Sequence, residues 1–142
     1  MKSIVTIEKL AEKLHLKPLY GLEYLEREIT TSEISRPGLE LAGYFNFYPS
    51  ERIQLLGRTE LSFAEQLSSQ TRLKTMRRLC TPETPCFVIS RKLLPPEELV
   101  QAAEEAKIPI LQASSRTTHV SSSVTNYLES RLAPRMSMHG VL

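Results

Sequence analysis

Residues 87–111 read FVISRKLLPPEELVQAAEEAKIPIL, and this part of the chain carries its clearest pattern of secondary structure. The first three residues, Phe87–Ile89, form a continuous apolar run, which is typical of a strand buried on both faces. Pro95 and Pro96 then open a helix, because proline fits the first turn, where its missing N–H would have no intrahelical partner. The predicted helix places these residues on one side: Leu99, Ala102, Ala103 and Ala106.

A second short apolar run, Ile108–Leu111, follows this helix. Strand, helix and strand in that order form a β-α-β unit, in which the two strands are parallel and the helix covers a face of the sheet. The chain is therefore predicted to be an α/β protein.

The amino-terminal flank carries weaker signals. Thr6 is the predicted N-cap of a helix over residues 6–14, whose apolar stripe is Ile7, Leu10, Ala11 and Leu14. Leu19–Tyr20 and residues 29–31 are predicted as short strands on either side of a turn at Gly21.

Capping signals predict three more helices. Ser62 and Glu65 have the spacing of a capping box, so a helix should begin at Ser62. This helix and its successor would bury Leu67, Leu73, Met76 and Leu79. The hydroxyls of residues 121–123 are predicted to cap a last helix, which Pro134 would stop near residue 132. Its apolar side would be Val124, Tyr127, Leu128 and Leu132.

The composition is that of one folded domain, with 41% hydrophobic and 24% charged residues in 142 positions. The start of the chain does not have a signal-peptide core, and we find no apolar run of the ~20 residues that span a bilayer, so we expect a cytoplasmic protein without membrane contact. A net charge of +2 gives little general attraction to nucleic acid. Cys80 and Cys86 are expected to be reduced thiols and are too few for a zinc site, so no metal ligands are predicted.

Arg36 and Gly38 form the first candidate ligand site. Arginine can hold a phosphate or carboxylate through two hydrogen bonds, and glycine permits close approach of a ligand. The alternative is structural: Pro37 starts a helical turn, Gly38 allows close packing, and Arg36 pairs with an internal carboxylate such as Glu33 or Glu40. The residues favour this alternative.

An aromatic cluster follows at Tyr44, Phe45, Phe47 and Tyr48. It would serve either as core beneath a loop or as an interface anchor. If the side chains alternate, Tyr44 and Tyr48 lie on the side opposite the two phenylalanines, which makes the tyrosines the interface candidates.

A run of serine and threonine, residues 114–123, contains Arg116 and His119 and leads to Ser121. A helix N-terminus after such a run favours anions, so Arg116 and Ser121 are candidate ligands for a phosphorylated metabolite. The alternative is that the hydroxyls serve as caps and turn residues.

A basic cluster, Arg72, Lys74, Arg77 and Arg78, is either a solvated helix face or a surface for nucleic-acid phosphates, and without a reading-helix motif we predict no nucleic-acid binding. The sequence contains no G-x-x-x-x-G-K-[ST], G-x-S-x-G or H-E-x-x-H, and no catalytic residue is predicted.

An ordered series of short segments runs through most of the chain. It comprises Thr30-Thr31-Ser32, Ser35-Arg36-Pro37-Gly38, Gly43-Tyr44-Phe45, Gln54-Leu55-Leu56-Gly57, Glu60-Leu61-Ser62-Phe63, Leu79-Cys80, Ser90-Arg91, Thr117-Thr118, Thr125-Asn126-Tyr127-Leu128, Leu132-Ala133-Pro134 and His139-Gly140-Val141-Leu142. In this series the chain resembles the amino-terminal domain of the bacterial HPr kinase/phosphorylase family.

The resemblance implies a parent enzyme of carbon catabolite repression that regulates the phosphotransferase system. Such enzymes use Mg²⁺ and ATP or pyrophosphate to phosphorylate a serine of the phosphocarrier protein HPr, and they remove the phosphate by phosphorolysis. The family is hexameric, and its catalytic groups lie in a following P-loop domain. The resemblance also implies a three-layer α/β/α fold with a small parallel or mixed sheet, similar to the first domain of some peptidoglycan-precursor ligases.

Residues 1–133 are therefore expected to form an amino-terminal regulatory or assembly domain without cofactor, and residues 134–142 to lead into a kinase domain. Its expected partners are that kinase domain, other subunits of a homo-oligomer and, through the parent enzyme, HPr. The alternative is a stand-alone domain that binds a phosphorylated metabolite.

Overall fold

The secondary structure of residues 4–132, the part of the chain that a computed structural model describes, alternates between strands and helices. In chain order the elements are β1 (Val5–Thr6), α1 (Ile7–Leu14), β2 (Lys17–Tyr20), a 3-10 turn (Leu22–Tyr24), β3 (Glu28–Ile29), β4 (Ile34–Ser35), α2 (Gly38–Leu41), β5 (Ile53–Leu56), α3 (Arg58–Glu65), α4 (Ser69–Leu79), β6 (Phe87–Ile89), α5 (Glu97–Ala106), β7 (Ile110–Gln112) and α6 (Thr117–Leu132).

A five-stranded mixed sheet has the strand order β2-β7-β6-β5-β4. The four strands β4 to β7 are mutually parallel, and β2 is antiparallel to β7 at one edge. Val88 of β6 lies opposite Leu111 of β7, so the β-α-β unit predicted from residues 87–111 is confirmed.

Helices cover both faces of this sheet. Leu55, Val88 and Leu111 point into a core that they share with α1 and α6. Their neighbours Leu56 and Ile89 point into a second core, shared with α4 and α5. Alternation along each strand thus feeds two apolar layers, and the predicted α/β fold with three layers is confirmed.

The first predicted helix is confirmed as α1. The Thr6 hydroxyl accepts a hydrogen bond from the Lys9 N–H (3.2 Å), as expected of an N-cap. The two predicted strands around Gly21 also exist, although β2 pairs with β7 and β3 pairs with β1. Gly21 has φ +74°, and a Cβ there would lie 2.8 Å from Pro109 Cα, so both the conformation and the packing require glycine.

The predicted start of a helix at Ser62 is wrong, because Ser62 lies inside α3. The helix begins directly after Gly57, whose N–H donates to Glu60 Oε1 (2.7 Å). The glutamate at the third helical position therefore satisfies a donor that the helix itself leaves free.

The predicted cap at residues 121–123 is wrong as well, because α6 begins earlier, at Thr117. The Thr117 hydroxyl lies 2.7 Å from the Ser90 hydroxyl, and both residues are buried. This contact joins the start of α6 to the end of β6. It stabilises a helix start at Thr117, which the local sequence does not predict. Pro134 and the predicted linker at 134–142 lie outside the described residues.

Candidate functional site

The carboxyl ends of β4, β5, β6 and β7 meet at one edge of the sheet, which is where open α/β sheets generally bind their ligands. The strands end in Ser35, Leu56, Ile89 and Gln112. Their connections to the following helices contain several residues that the sequence marked as candidates. This edge is therefore the first candidate site.

Arg36 is held at this edge by a buried carboxylate. Its Nη2 lies 2.9 Å from Glu60 Oε1, the same oxygen that accepts the Gly57 N–H. The expectation that Arg36 pairs with an internal carboxylate is confirmed, although the partner is Glu60 and neither of the two named examples. Glu33 pairs with Arg52 instead (2.6 Å). The Arg36 side chain is still 44% exposed, so the guanidinium has donors that face solvent.

Gly57 brings Arg36 close to the start of α6. A Cβ at Gly57 would lie 2.5 Å from Thr117 Oγ1 and 3.3 Å from Arg36 Nη2, so these two groups are near neighbours. Because a side chain at position 57 would overlap these groups, the close packing alone accounts for glycine there, without a special backbone angle. Sequence reasoning missed Glu60 and Thr117, and the only local signal was a glutamate three positions after a glycine.

The other predicted ligand residues are spread around this edge. Arg116 is exposed immediately before α6. Ser121 lies one turn into α6, partly buried, where it lines a small gap that includes Ile34 of β4. Gly38 begins α2, and a Cβ there would meet nothing within 4 Å, so the expected close packing is wrong. The structure therefore places Arg36 near the start of α6, and it places Ser121 one turn farther along that helix, where the side chain is partly buried.

The aromatic cluster lies in turns between α2 and β5, so the expected alternation of its side chains is wrong. Phe45 and Tyr48 pack edge to face at 5.6 Å, and the Tyr48 hydroxyl donates to the Leu79 carbonyl (2.6 Å). Phe47 is 83% exposed and Tyr44 is 45% exposed. Tyr48 thus fastens the segment to α4, while Tyr44 and Phe47 face outward.

Most of the basic cluster on α4 is engaged within the chain. Arg72 pairs with Glu98 and Arg77 pairs with Glu105, each at 2.9 Å. Arg78 lies over the Phe45 ring, 3.9 Å from its centroid. These contacts agree with the interpretation of the cluster as an ordinary helix surface.

Both cysteines are free thiols. Burial raises the pKa of Cys80 to about 12 and raises the pKa of Cys86 as well, so neither is a thiolate at neutral pH. Within residues 4–132, no three His, Cys, Asp or Glu side chains are grouped as metal ligands. The same part of the chain contains no helix with the length and apolar character needed to cross a bilayer.

Comparison with known proteins identifies the family. The family described as the HPr serine kinase N terminus matches residues 5–128. The chain is 55% identical to the HPr kinase/phosphorylase of Limosilactobacillus reuteri (strain DSM 20016) over 142 residues, which is all of this chain and 44% of that protein. Identity is 56% to the Levilactobacillus brevis protein and 54% to that of Listeria monocytogenes (serotype 4a, strain HCC23), in each case over all of this chain and 46% of the relative.

The chain therefore spans a little under half the length of these curated relatives. The family match covers nearly all of the residues whose structure is described. On this evidence, the chain belongs to the family of amino-terminal domains of HPr serine kinases.

Proposed function

We propose that this chain is the non-catalytic regulatory and assembly domain of an HPr kinase/phosphorylase. The observation that carries the proposal is the extent of the matches, which include every residue of this chain but leave more than half of each relative unmatched. The whole enzyme would be cytoplasmic, would phosphorylate a serine of HPr with Mg²⁺ and ATP or pyrophosphate, and would remove that phosphate by phosphorolysis.

The contacts at the carboxyl edge of the sheet support a role without catalysis. Glu60, the one buried carboxylate there that contacts an arginine, accepts hydrogen bonds from Gly57 and Arg36. The Ser90 and Thr117 hydroxyls bind each other. These groups stabilise the fold, and we assign nucleotide binding and phosphoryl transfer to the P-loop domain expected beyond Leu142, with residues 134–142 as the link.

Exposed apolar side chains near α2 support a role in assembly. Leu39 on α2 and Phe47 are 67% and 83% exposed, and Tyr44 lies between them in the chain. The Tyr44 N–H donates to the Leu39 carbonyl (3.0 Å), which places the two residues side by side. We propose that this surface, with Tyr44 as its central residue, contacts another subunit or the kinase domain, and that Tyr48 contributes by fastening the segment to α4.

The test uses the native coding region read past the codon for Leu142. The complete protein and a form without residues 1–133 are assayed for phosphorylation of HPr with ATP and with pyrophosphate, and their masses are measured by sedimentation. We expect the shortened form to retain phosphorylation and to differ in assembly or regulation. The proposal is refuted if a folded shortened form is inactive but assembles normally, or if the coding region stops at Leu142.

A pair of tyrosines provides the matched control for the assembly surface. Tyr44 and Tyr20 are equally exposed, at 45%, but Tyr20 lies on β2 at the opposite end of the sheet from β4. We expect Tyr44→Ala to weaken assembly of the complete protein and Tyr20→Ala to leave it unchanged. Equal effects would show that the α2 surface is not the interface.

A further inference from the structure

A cleft lies between the end of α1, the β7–α6 connection and the first half of α6. Its volume is about 370 Å³, which is within the usual range for small-molecule sites. His15 contributes from the end of α1, and His119 and Ser123 contribute from α6. Because α1 and α6 pack against each other in one core, both walls belong to the rigid part of the fold.

The polar lining of this cleft offers several hydrogen-bond donors. It comprises one ammonium, two imidazoles and three hydroxyls: Lys13, His15, His119, Ser114, Ser115 and Ser123. No carboxylate is among the lining residues. Leu16, Val120 and Val124, which are buried in the core, form its apolar part. This combination suits a ligand with an anionic group and a small apolar body.

The wall formed by the β7–α6 connection is fixed by the neighbouring turn. Arg91 and Lys92 both have left-handed backbone angles, with φ of +60° and +57°. Their N–H groups donate to the carbonyls of Ser115 and Ala113, each at 2.8 Å. Two successive left-handed residues other than glycine are unfavourable, so the surrounding structure holds this turn in place. The backbone that carries Ser114 and Ser115 is therefore held in place before any ligand arrives.

The two histidines are also restrained. His15 ends α1 in the left-handed region, at φ +57°, and its N–H donates to the Ala11 carbonyl. His119 Nε2 lies 3.3 Å from Ser123 Oγ, one turn later on the same helix. Both histidines are exposed, so a ligand in the cleft can reach their imidazoles.

We propose that this cleft binds a small organic anion, a carboxylate or a phosphate, through Lys13, the two histidines and the serine hydroxyls. The lining residues named here all belong to this chain, and the proposal holds whether or not the chain regulates a kinase.

The test follows the histidine ring resonances of the full chain by NMR during titration with benzoate, phenyl phosphate and uncharged benzyl alcohol. We expect saturable shifts of His15 and His119 with at least one of the two anions and none with benzyl alcohol. Comparison of the two anions distinguishes a carboxylate site from a phosphate site. The proposal is overturned if neither anion binds, or if the alcohol binds as well as the anions.

Charge-matched variants show whether binding occurs in this cleft. Lys13→Gln should raise the Kd about tenfold, the change expected for the loss of one charge-assisted hydrogen bond. Lys74→Gln removes the same charge from α4, on the other face of the sheet, and should leave the Kd unchanged. His15→Asn keeps a residue that tolerates the left-handed angle and should also weaken binding. Equal effects of the two lysine variants would place the binding elsewhere and overturn the proposal.

Discussion

Two ion pairs join α4 to α5, and we predict that only one of them stabilises the protein measurably. In the first, Arg72 Nε and Nη2 lie 2.9 and 3.2 Å from the two carboxylate oxygens of Glu98. In the second, Arg77 makes the same fork to Glu105, at 3.0 and 2.9 Å. The geometry is matched, but the first pair is 18% and 16% exposed and the second 49% and 46% exposed.

The expected size of the effect follows from the partners of Arg72. Its Nη1 also donates to the carbonyls of Ala64 and Leu67, both at 2.9 Å, so it ties the end of α3 to α4 and α5. Arg72→Met should lower the free energy of unfolding by about 3 kcal/mol, because it removes the charge-assisted hydrogen bonds to Glu98 and to the carbonyls of Ala64 and Leu67. Glu98→Gln should cost about 1 to 2 kcal/mol, since a neutral amide keeps only part of the contact.

The assay is a double-mutant cycle for each pair. Urea unfolding is followed by far-UV circular dichroism, since the chain contains no tryptophan. We expect a coupling energy of about 1 to 2 kcal/mol between Arg72 and Glu98. For the exposed pair we expect no coupling above the error of measurement. Equal coupling in the two cycles would refute the argument that solvent exposure decides the contribution.

The same pair also predicts a dependence on pH. Hydrogen bonds from Arg72 and Ser69 lower the pKa of Glu98 from 4.5 to about 2. Because the folded state has the lower pKa, the stabilisation is fully present above the unfolded value of 4.5 and is lost as the pH falls towards 2. The difference in unfolding free energy between the wild type and Glu98→Gln should therefore shrink across that interval. A difference that stays constant would contradict this assignment.

Three further substitutions test the packing of the fold. Gly57→Ala should destabilise the protein by about 2 kcal/mol by overpacking against Thr117, and thermal melts should show that Thr117→Ala in the same chain relieves part of the loss. Tyr48→Phe should cost about 1 kcal/mol in urea unfolding, the usual value of one hydrogen bond, here to the Leu79 carbonyl; an unchanged midpoint would mean that the hydroxyl is equally well bound by water. Gly21→Ala should lower the melting temperature more than Gly43→Ala. Both glycines have a positive φ, but a Cβ at position 43 would meet no atom within 4 Å, whereas a Cβ at position 21 would overlap Pro109. Equal shifts in melting temperature would show that the backbone angle dominates.

The central β-α-β unit was predictable because each of its signals is local. Two apolar runs predicted β6 and β7, and Pro95 and Pro96 predicted the start of α5. Strand β5 was missed, although all four of its residues are buried. Its run is interrupted by Gln54, whose Nε2 donates to the carbonyls of Pro49 and Arg52 at 3.0 and 2.9 Å. A polar residue that is buried through such contacts cannot be distinguished from a surface residue in the sequence.

The candidate site was less predictable because its contacts join distant segments. Arg36 forms an ion pair with Glu60 rather than with a carboxylate of its own segment, and the Thr117 hydroxyl forms a hydrogen bond with the Ser90 hydroxyl. The serines at 121–123 looked like caps because serine favours that position, but tertiary packing extends α6 through them. The serine and threonine run 114–123 was predicted as a candidate anion site, but the contribution of Lys13 and His15 to the cleft was not, since they lie about a hundred positions before its other polar residues.

The pairing of β2 with β7 has a consequence for the order in which the protein acquires its structure on the ribosome. Tyr20 pairs with Ile110, and α1 packs against α6, which follows β7. A chain that emerges amino end first must keep its opening segment without these partners until nearly the whole domain has been synthesised. Helix α6 therefore completes the core around α1 only after β7 has been synthesised.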